Sequence, residues 1–109
     1  MMHGSRITHT ISRTEFKGII SKYKDRVLCS QEALFRLNEG QRKLFKEKEL
    51  VHIIKNEEPT MVGIQQNLRY AAFFKRKEGY LRIIFALRKN LEIITFFITR
   101  YLPMLKHEP

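Results

Sequence analysis

The 109-residue chain has no tryptophan, one cysteine, three prolines and a single aspartate, Asp25. A lone thiol, Cys29, cannot close an internal disulfide. The fold must therefore rest on its core, and a reducing, cytoplasmic setting is expected. With one aspartate, a paired-carboxylate metal cage would need glutamates, and the pair Glu57-Glu58 reads instead as the end of a helix. The four histidines, His3, His9, His52 and His107, are scattered and give no zinc spacing with Cys29. No glycine-rich phosphate loop and no nucleophile elbow occurs. Neither a metal nor a cofactor is expected. The longest apolar run, Ile93-Ile94-Thr95-Phe96-Phe97-Ile98, is strand-length and far short of the roughly 20 residues that cross a bilayer, so no membrane association is expected. The first six residues lack the apolar stretch of a secretory signal and read as a flexible lead.

What is abundant is positive charge and aromatic carbon. Lysine and arginine number 21 against 11 acids, a formal charge of +10. A domain this basic is suited to a polyanion, and nucleic acid is the commonest. At 43% hydrophobic residues, with eight Phe and four Tyr, the chain can bury a core of its own and is long enough for one domain. The expected organisation is a flexible lead over 1–13, a single domain over 14–105 and a short tail over 106–109.

Pro59 divides the domain. Before it, apolar spacing follows the helix. Phe16, Ile19, Ile20 and Tyr23 share one face of a helix over 14–23, which Gly18 weakens. An extended piece, Val27-Leu28-Cys29, leads to Ser30, whose hydroxyl is placed to cap a helix starting at Gln31. Ala33, Leu34, Leu37, Leu44 and Phe45 give that helix its apolar side, and Gly40 predicts a kink or break. A further helix turns Leu50, Val51, Ile53 and Ile54 inward and should end near Asn56, because Pro59 disfavours helical geometry just before it.

After Pro59 the period changes to two. Strands are expected over 61–65, 68–75, 80–87 and 91–100, joined by Arg76-Lys77-Glu78-Gly79 and Arg88-Lys89-Asn90, with Gly79 and Asn90 suited to positive φ. Connections this short make neighbours antiparallel. The fold class is α+β, with N-terminal helices packed on one face of a four- or five-stranded antiparallel meander.

Alternation divides each strand between two faces. Leu81, Ile83, Phe85 and Leu87 join Tyr70, Ala72, Phe74, Ile94, Phe96 and Ile98 on a face that must lie under the helices. The other face carries cations (Arg69, Lys75, Arg82), hydroxyls (Thr95, Thr99, Tyr101) and rings (Phe73, Tyr80, Phe97). Strict alternation also puts Ile93 on this second face. Cations neutralise phosphates and rings stack on unpaired bases, so the surface suits single-stranded RNA. The same rings serve equally as ordinary cross-strand sheet pairs. Arg82, in mid-strand between Tyr80 and Ile84, requires either a partner or an open surface. His52 is expected to be structural or solvent-facing, and Cys29 an inert buried thiol.

Cleavage of RNA without metal needs a base for the ribose 2′-hydroxyl, cations at the phosphate and an acid for the leaving oxygen. Arg69, Lys75, Arg82 and Arg100 offer the charge, and Tyr101, His9 or Glu32 the proton transfer. Tyr80, Phe97 and Thr99 complete the candidate RNA-binding set with Arg69 and Lys75. Two non-catalytic readings share this charge: a module that binds RNA or DNA, and an interaction domain with an acidic protein partner.

From Val27 to Pro103 the order of residues resembles the RelE-like toxins and their small relatives in the barnase–EndoU–colicin–RelE superfamily. The likeness runs through Ser30-x-x-Ala33-Leu34-x-Arg36-Leu37, Arg42, Glu49-Leu50-x-x-Ile53-Ile54-x-Asn56-x-x-Pro59 and Asn67-x-Arg69-Tyr70-Ala71. It continues through Tyr80-Leu81-Arg82-Ile83-Ile84, Glu92-Ile93-Ile94-Thr95-Phe96 and Thr99-Arg100-Tyr101-x-Pro103. The resemblance implies two helices on a curved antiparallel sheet and a toxin that cuts mRNA, often at the ribosome, held inactive by a cognate antitoxin. It implies that Arg69, Arg82 and Arg100 face the scissile phosphate with Tyr101 nearby. Glu32 stands where several relatives carry a histidine two residues after the capping serine, and so inherits the proton-transfer role. The expected partners are thus RNA, including ribosome-bound mRNA, and an acidic antitoxin. The segment Leu102–Leu105 is suited to docking on the domain or to joining a homodimer.

Overall fold

The structure is a computed structural model that describes residues 4–36 and 46–103. The expectations placed on Leu37, Gly40, Arg42, Leu44 and Phe45, and on the tail 106–109, lie outside the described residues. Among the described residues the chain runs β1 (Ile7–Ile11), α1 (Arg13–Lys22), β2 (Val27–Cys29), α2 (Gln31–Arg36), α3 (Glu47–Asn56), β3 (Met61–Gln65), β4 (Tyr70–Arg76), β5 (Gly79–Leu87) and β6 (Leu91–Thr99).

The class is α+β, but the sheet is larger than a four- or five-stranded meander and is mixed. Its order is β1-β3-β4-β5-β6-β2. Strands β3 to β6 form the expected antiparallel meander. Two edges are added. Residues 7–11, expected within the flexible lead, pair antiparallel with β3. The extended piece Val27–Cys29 pairs parallel with β6, in the register Val27↔Leu91 to Cys29↔Ile93.

Local chemistry sets the helix ends. Ser12 Oγ accepts the Glu15 amide at 3.0 Å and starts α1. Ser30 Oγ accepts the Ala33 amide at 3.2 Å and starts α2, as its sequence position predicts. Glu49 Oε1 accepts the Lys46 amide at 2.9 Å at the head of α3, which stops at Asn56 ahead of Pro59. His52 is exposed and beside Asn56, whose Nδ2 lies 3.1 Å from its Nδ1.

Phe16 of α1, Ala33 of α2, and Leu50 and Ile54 of α3 bury against Leu81, Ile83, Phe85 and Phe96 on one face of the sheet. Tyr70 stacks on Phe85 with ring centroids 5.3 Å apart. The Tyr23 hydroxyl leaves this core to donate to the Arg88 carbonyl at 3.0 Å.

In β6 strict alternation fails. Ile84 pairs with Thr95 but Phe85 pairs with Ile93, so the strand carries a bulge at Ile94. Ile93 therefore faces the helices and Ile94 the opposite side, the reverse of the expected assignment. The turns differ too. Asn90 does not adopt positive φ, whereas the exposed Leu68, between β3 and β4, does at 70°.

Candidate nucleic-acid interface

The sheet face away from the helices is built from residues of matching alternation. Register aligns Met61, Phe73, Arg82 and Phe97 in one row across β3 to β6. The next row holds Lys75, Tyr80 and Thr99. Arg69 precedes β4 with the same parity as Ala71 and Phe73. The structure thus brings Arg69, Lys75, Tyr80, Arg82, Phe97 and Thr99, six of the ten expected residues, to one side of the sheet. The β6 exit adds Arg100 and Tyr101, both exposed, and Thr99 Oγ1 donates to the Tyr101 carbonyl at 3.0 Å. Glu32 is not on these strands. It is exposed in the first turn of α2, a helix packed beside β6 and β2, with β6 between it and the strand of Arg82. His9 is exposed on the edge strand β1, with Thr8 Oγ1 3.0 Å from its Nδ1.

The face is less open than alternation suggests. Ala71, Phe73, Ile84 and Ile94 are fully or almost fully buried, in a second cluster with Ile7 of β1. Leu102 packs onto the same cluster after the chain leaves β6. Residues 4–6 cross close by, tied down by Asn67 N–H to the Gly4 carbonyl at 3.0 Å and Gln66 N–H to the Arg6 carbonyl at 2.8 Å. The expectation of an uncovered platform is corrected: its middle is packed, and polar side chains surround that middle.

Arg82 lies in the packed part. Its guanidinium carbon is 5.0 Å from the centroid of Phe73 and 5.6 Å from that of Phe97, its neighbours in the row. Nη2 donates to the Ser5 carbonyl at 2.6 Å and to Gln65 Oε1 at 2.8 Å. Nε is buried without a partner. Burial pulls the Arg82 pKa below its ordinary value. The group remains a cation, since arginine does not lose its proton in proteins.

Its acceptors are neutral, and among the described residues it forms no ion pair with a carboxylate. On strands β3 to β6 themselves the one acid is Glu92, ion-paired to Arg88 at 2.9 Å, and Glu78 stands in the exposed β4–β5 turn. The other ion pairs among the described residues join Lys17 to Glu58 and Arg76 to Glu57. None engages Arg69, Lys75, Arg82 or Arg100. Lys75 instead sits 4.8 Å over the Tyr80 ring. Among the described residues, no ion pair cancels the charge of this face.

Sequence reasoning missed two members of the site. Gln65 is 1% exposed, with its Nε2 donating to Asn67 Oδ1 at 3.0 Å. Its signal was a polar residue sharing parity with Met61 in an otherwise apolar strand. The Ser5 carbonyl is a backbone group and leaves no mark in side-chain patterns.

Other candidate features lie apart. Cys29 is buried, and its thiol is pushed up to about 12 by burial and then by the Glu47 carboxylate, as expected of an inert thiol. A cleft of about 440 Å³ between α1 and the exit of α3 is lined by Phe16, Ile20, Ile54 and Pro59 under Arg13 and Lys24, and none of the expected site residues reaches it. Among the described residues, no group of three His, Cys, Asp or Glu side chains could hold a metal ion, and no helix is long and apolar enough to cross a membrane. Comparison with protein-family models, curated proteins and solved structures finds no match to this chain.

Proposed function

We propose that the protein acts on RNA through the second face of its sheet, as a metal-independent endoribonuclease of the RelE-like toxin type. The observation that carries this reading is the half-buried Arg82 guanidinium, held between two rings with neutral acceptors, in a face whose other cations form no ion pair among the described residues. A buried positive charge without a counter-ion is stabilised by an incoming anion. Phosphate is the anion that the surrounding Lys75, Arg69 and Arg100 also favour. In the cleavage itself, Arg82 and Arg100 would stabilise charge on the phosphorane, where fixed donors act most strongly. Tyr101, exposed at the exit of β6, is the proposed proton-transfer group, whereas Glu32 begins a helix packed on the opposite face of the sheet and is given no role at this phosphate. Tyr80, Phe97 and Thr99 would position the bases and ribose beside Arg69 and Lys75. An acidic antitoxin is the proposed protein partner.

The test is incubation of the purified protein with end-labelled RNA in excess EDTA. Products with 2′,3′-cyclic phosphate ends are expected. Arg82→Lys retains the charge but loses the planar fork, and should lower the cleavage rate at least tenfold, by about 1.4 kcal/mol or more in the barrier, while weakening binding much less. A non-catalytic RNA-binding module is favoured by one observation: the Arg82 Nη2 donors already have protein acceptors, and neither Tyr101 nor Glu32 is among them. Intact RNA with a retarded gel band would establish that second reading and remove the first.

A further inference from the structure

We propose that residues 4–6 form a strap that closes the anion position of Arg82, and that an RNA phosphate opens it by replacing the Ser5 carbonyl. This rests on the RNA reading of the face and adds its regulation. The two acceptors on Nη2 differ in kind. Gln65 is an integral part of the sheet, 1% exposed and fixed by Asn67. The Ser5 carbonyl comes from a segment that precedes β1 and is held by the two backbone hydrogen bonds to Asn67 and Gln66.

The guanidinium is also incompletely satisfied while the strap is in place. Nε and Nη2 share one edge of the planar fork, the edge that takes two oxygens of a phosphate side by side. Here Nη2 has oxygens and the buried Nε has none. Nη2 thus has two acceptors and Nε none, and a buried donor without an acceptor is a destabilised arrangement. Two phosphate oxygens would satisfy both donors and supply the missing negative charge. Exchanging strap for phosphate therefore gains a hydrogen bond and a counter-ion at the cost of the two backbone ties.

The strap follows a path that requires glycine. Gly4 has φ of 81°, and a Cβ there would lie 2.8 Å from the Asn67 Cβ and 3.2 Å from the Asn67 nitrogen. A side chain at position 4 should lift the strap without touching Arg82, which provides the means of testing it.

Two signals report the exchange in the full-length protein: the NMR resonance of the Arg82 Nε–H, and hydrogen exchange of the Asn67 amide that donates to Gly4. Adding single-stranded RNA to the wild type should shift the first and speed the second. In Gly4→Val, or Gly4→Ala should the valine chain not fold, the Asn67 amide should exchange faster before any ligand is added. Inorganic phosphate should then shift the Arg82 signal with about tenfold tighter apparent affinity than in the wild type. RNA should tighten by a similar factor. If phosphate binds both proteins alike, or the Asn67 amide stays protected in the variant, the strap is overturned. If phosphate tightens in the variant and neither protein binds RNA, the strap stands and the RNA reading fails.

Discussion

Burial moves Arg82 and Cys29 away from charge in opposite directions. The arginine is made a weaker base, and the thiol, raised to about 12, a weaker acid. For Cys29 the consequence is a pH dependence of stability with a definite sign. The unfolded thiol ionises near its ordinary value of 9.0, whereas the folded thiol keeps its proton to about 12. Between those limits the unfolded chain has released a proton that the folded chain still holds, so stability falls as pH rises, by up to about 1.4 kcal/mol per pH unit from this group. Below pH 9 the contribution is flat. Urea melts at pH 8 and pH 10.5 should show the wild type losing more stability than Cys29→Ala over the same interval. An equal loss would mean that Cys29 is not desolvated. At the candidate site, what sequence could show was which side chains share a face, because alternation alone determines that. It could not show that Arg82 is half-buried, because its guanidinium is held by Gln65 and by the Ser5 carbonyl, a backbone group from a distant part of the chain.

The elements were legible where one period persisted. Strands β3 to β6 and the stop of α3 before Pro59 follow from alternation and proline geometry. Strand β1 did not, although Ile7-Thr8-His9-Thr10-Ile11 alternates β-branched residues, because it stands alone before a helix and its partner β3 lies some fifty residues on. Strand β2 has three residues, too few for any period, and only its register with β6 makes it a strand. The bulge at Ile94 was invisible because Ile93 and Ile94 are chemically identical and either can face the core. The β4–β5 hairpin shows a stricter requirement. Gly79 has φ of 152°, and a Cβ there would overlap the carbonyl of Thr99, the last residue of β6. Gly79→Ala should therefore cost about 2 kcal/mol or more, read as a lowered urea midpoint with an unchanged m-value, whereas Lys77→Ala in the same exposed turn should change stability by less than about 0.5 kcal/mol.

Taken together, the molecule divides its work between two sides of one sheet. Helices cover one side and make the larger core, while the other carries a smaller apolar patch beside cations that form no ion pair among the described residues. Association with RNA should weaken steeply with salt, because the +10 charge displaces counter-ions from the phosphates. Each phosphate contact contributes about 0.7 to the slope of log affinity against log salt for a single strand. Replacing Lys75 and Arg100 together with alanine should lower that slope by about 1.4, whereas replacing Lys22 and Lys48, both exposed on helices, should leave it nearly unchanged. A slope unaffected by the first pair would place the RNA elsewhere on the surface.

The parallel pairing of β2 with β6 sets an order on biogenesis. Residues 27–29 are made before α2, α3 and β3 to β5, yet their sheet partner β6 is the last of the described strands. Until that strand appears, the Leu91, Ile93 and Phe96 part of the helix-facing core is missing. Contacts of such long sequence separation close slowly. A nascent chain halted before residue 91 should remain a protease-sensitive intermediate, protected only when translation has carried β6 clear of the exit tunnel.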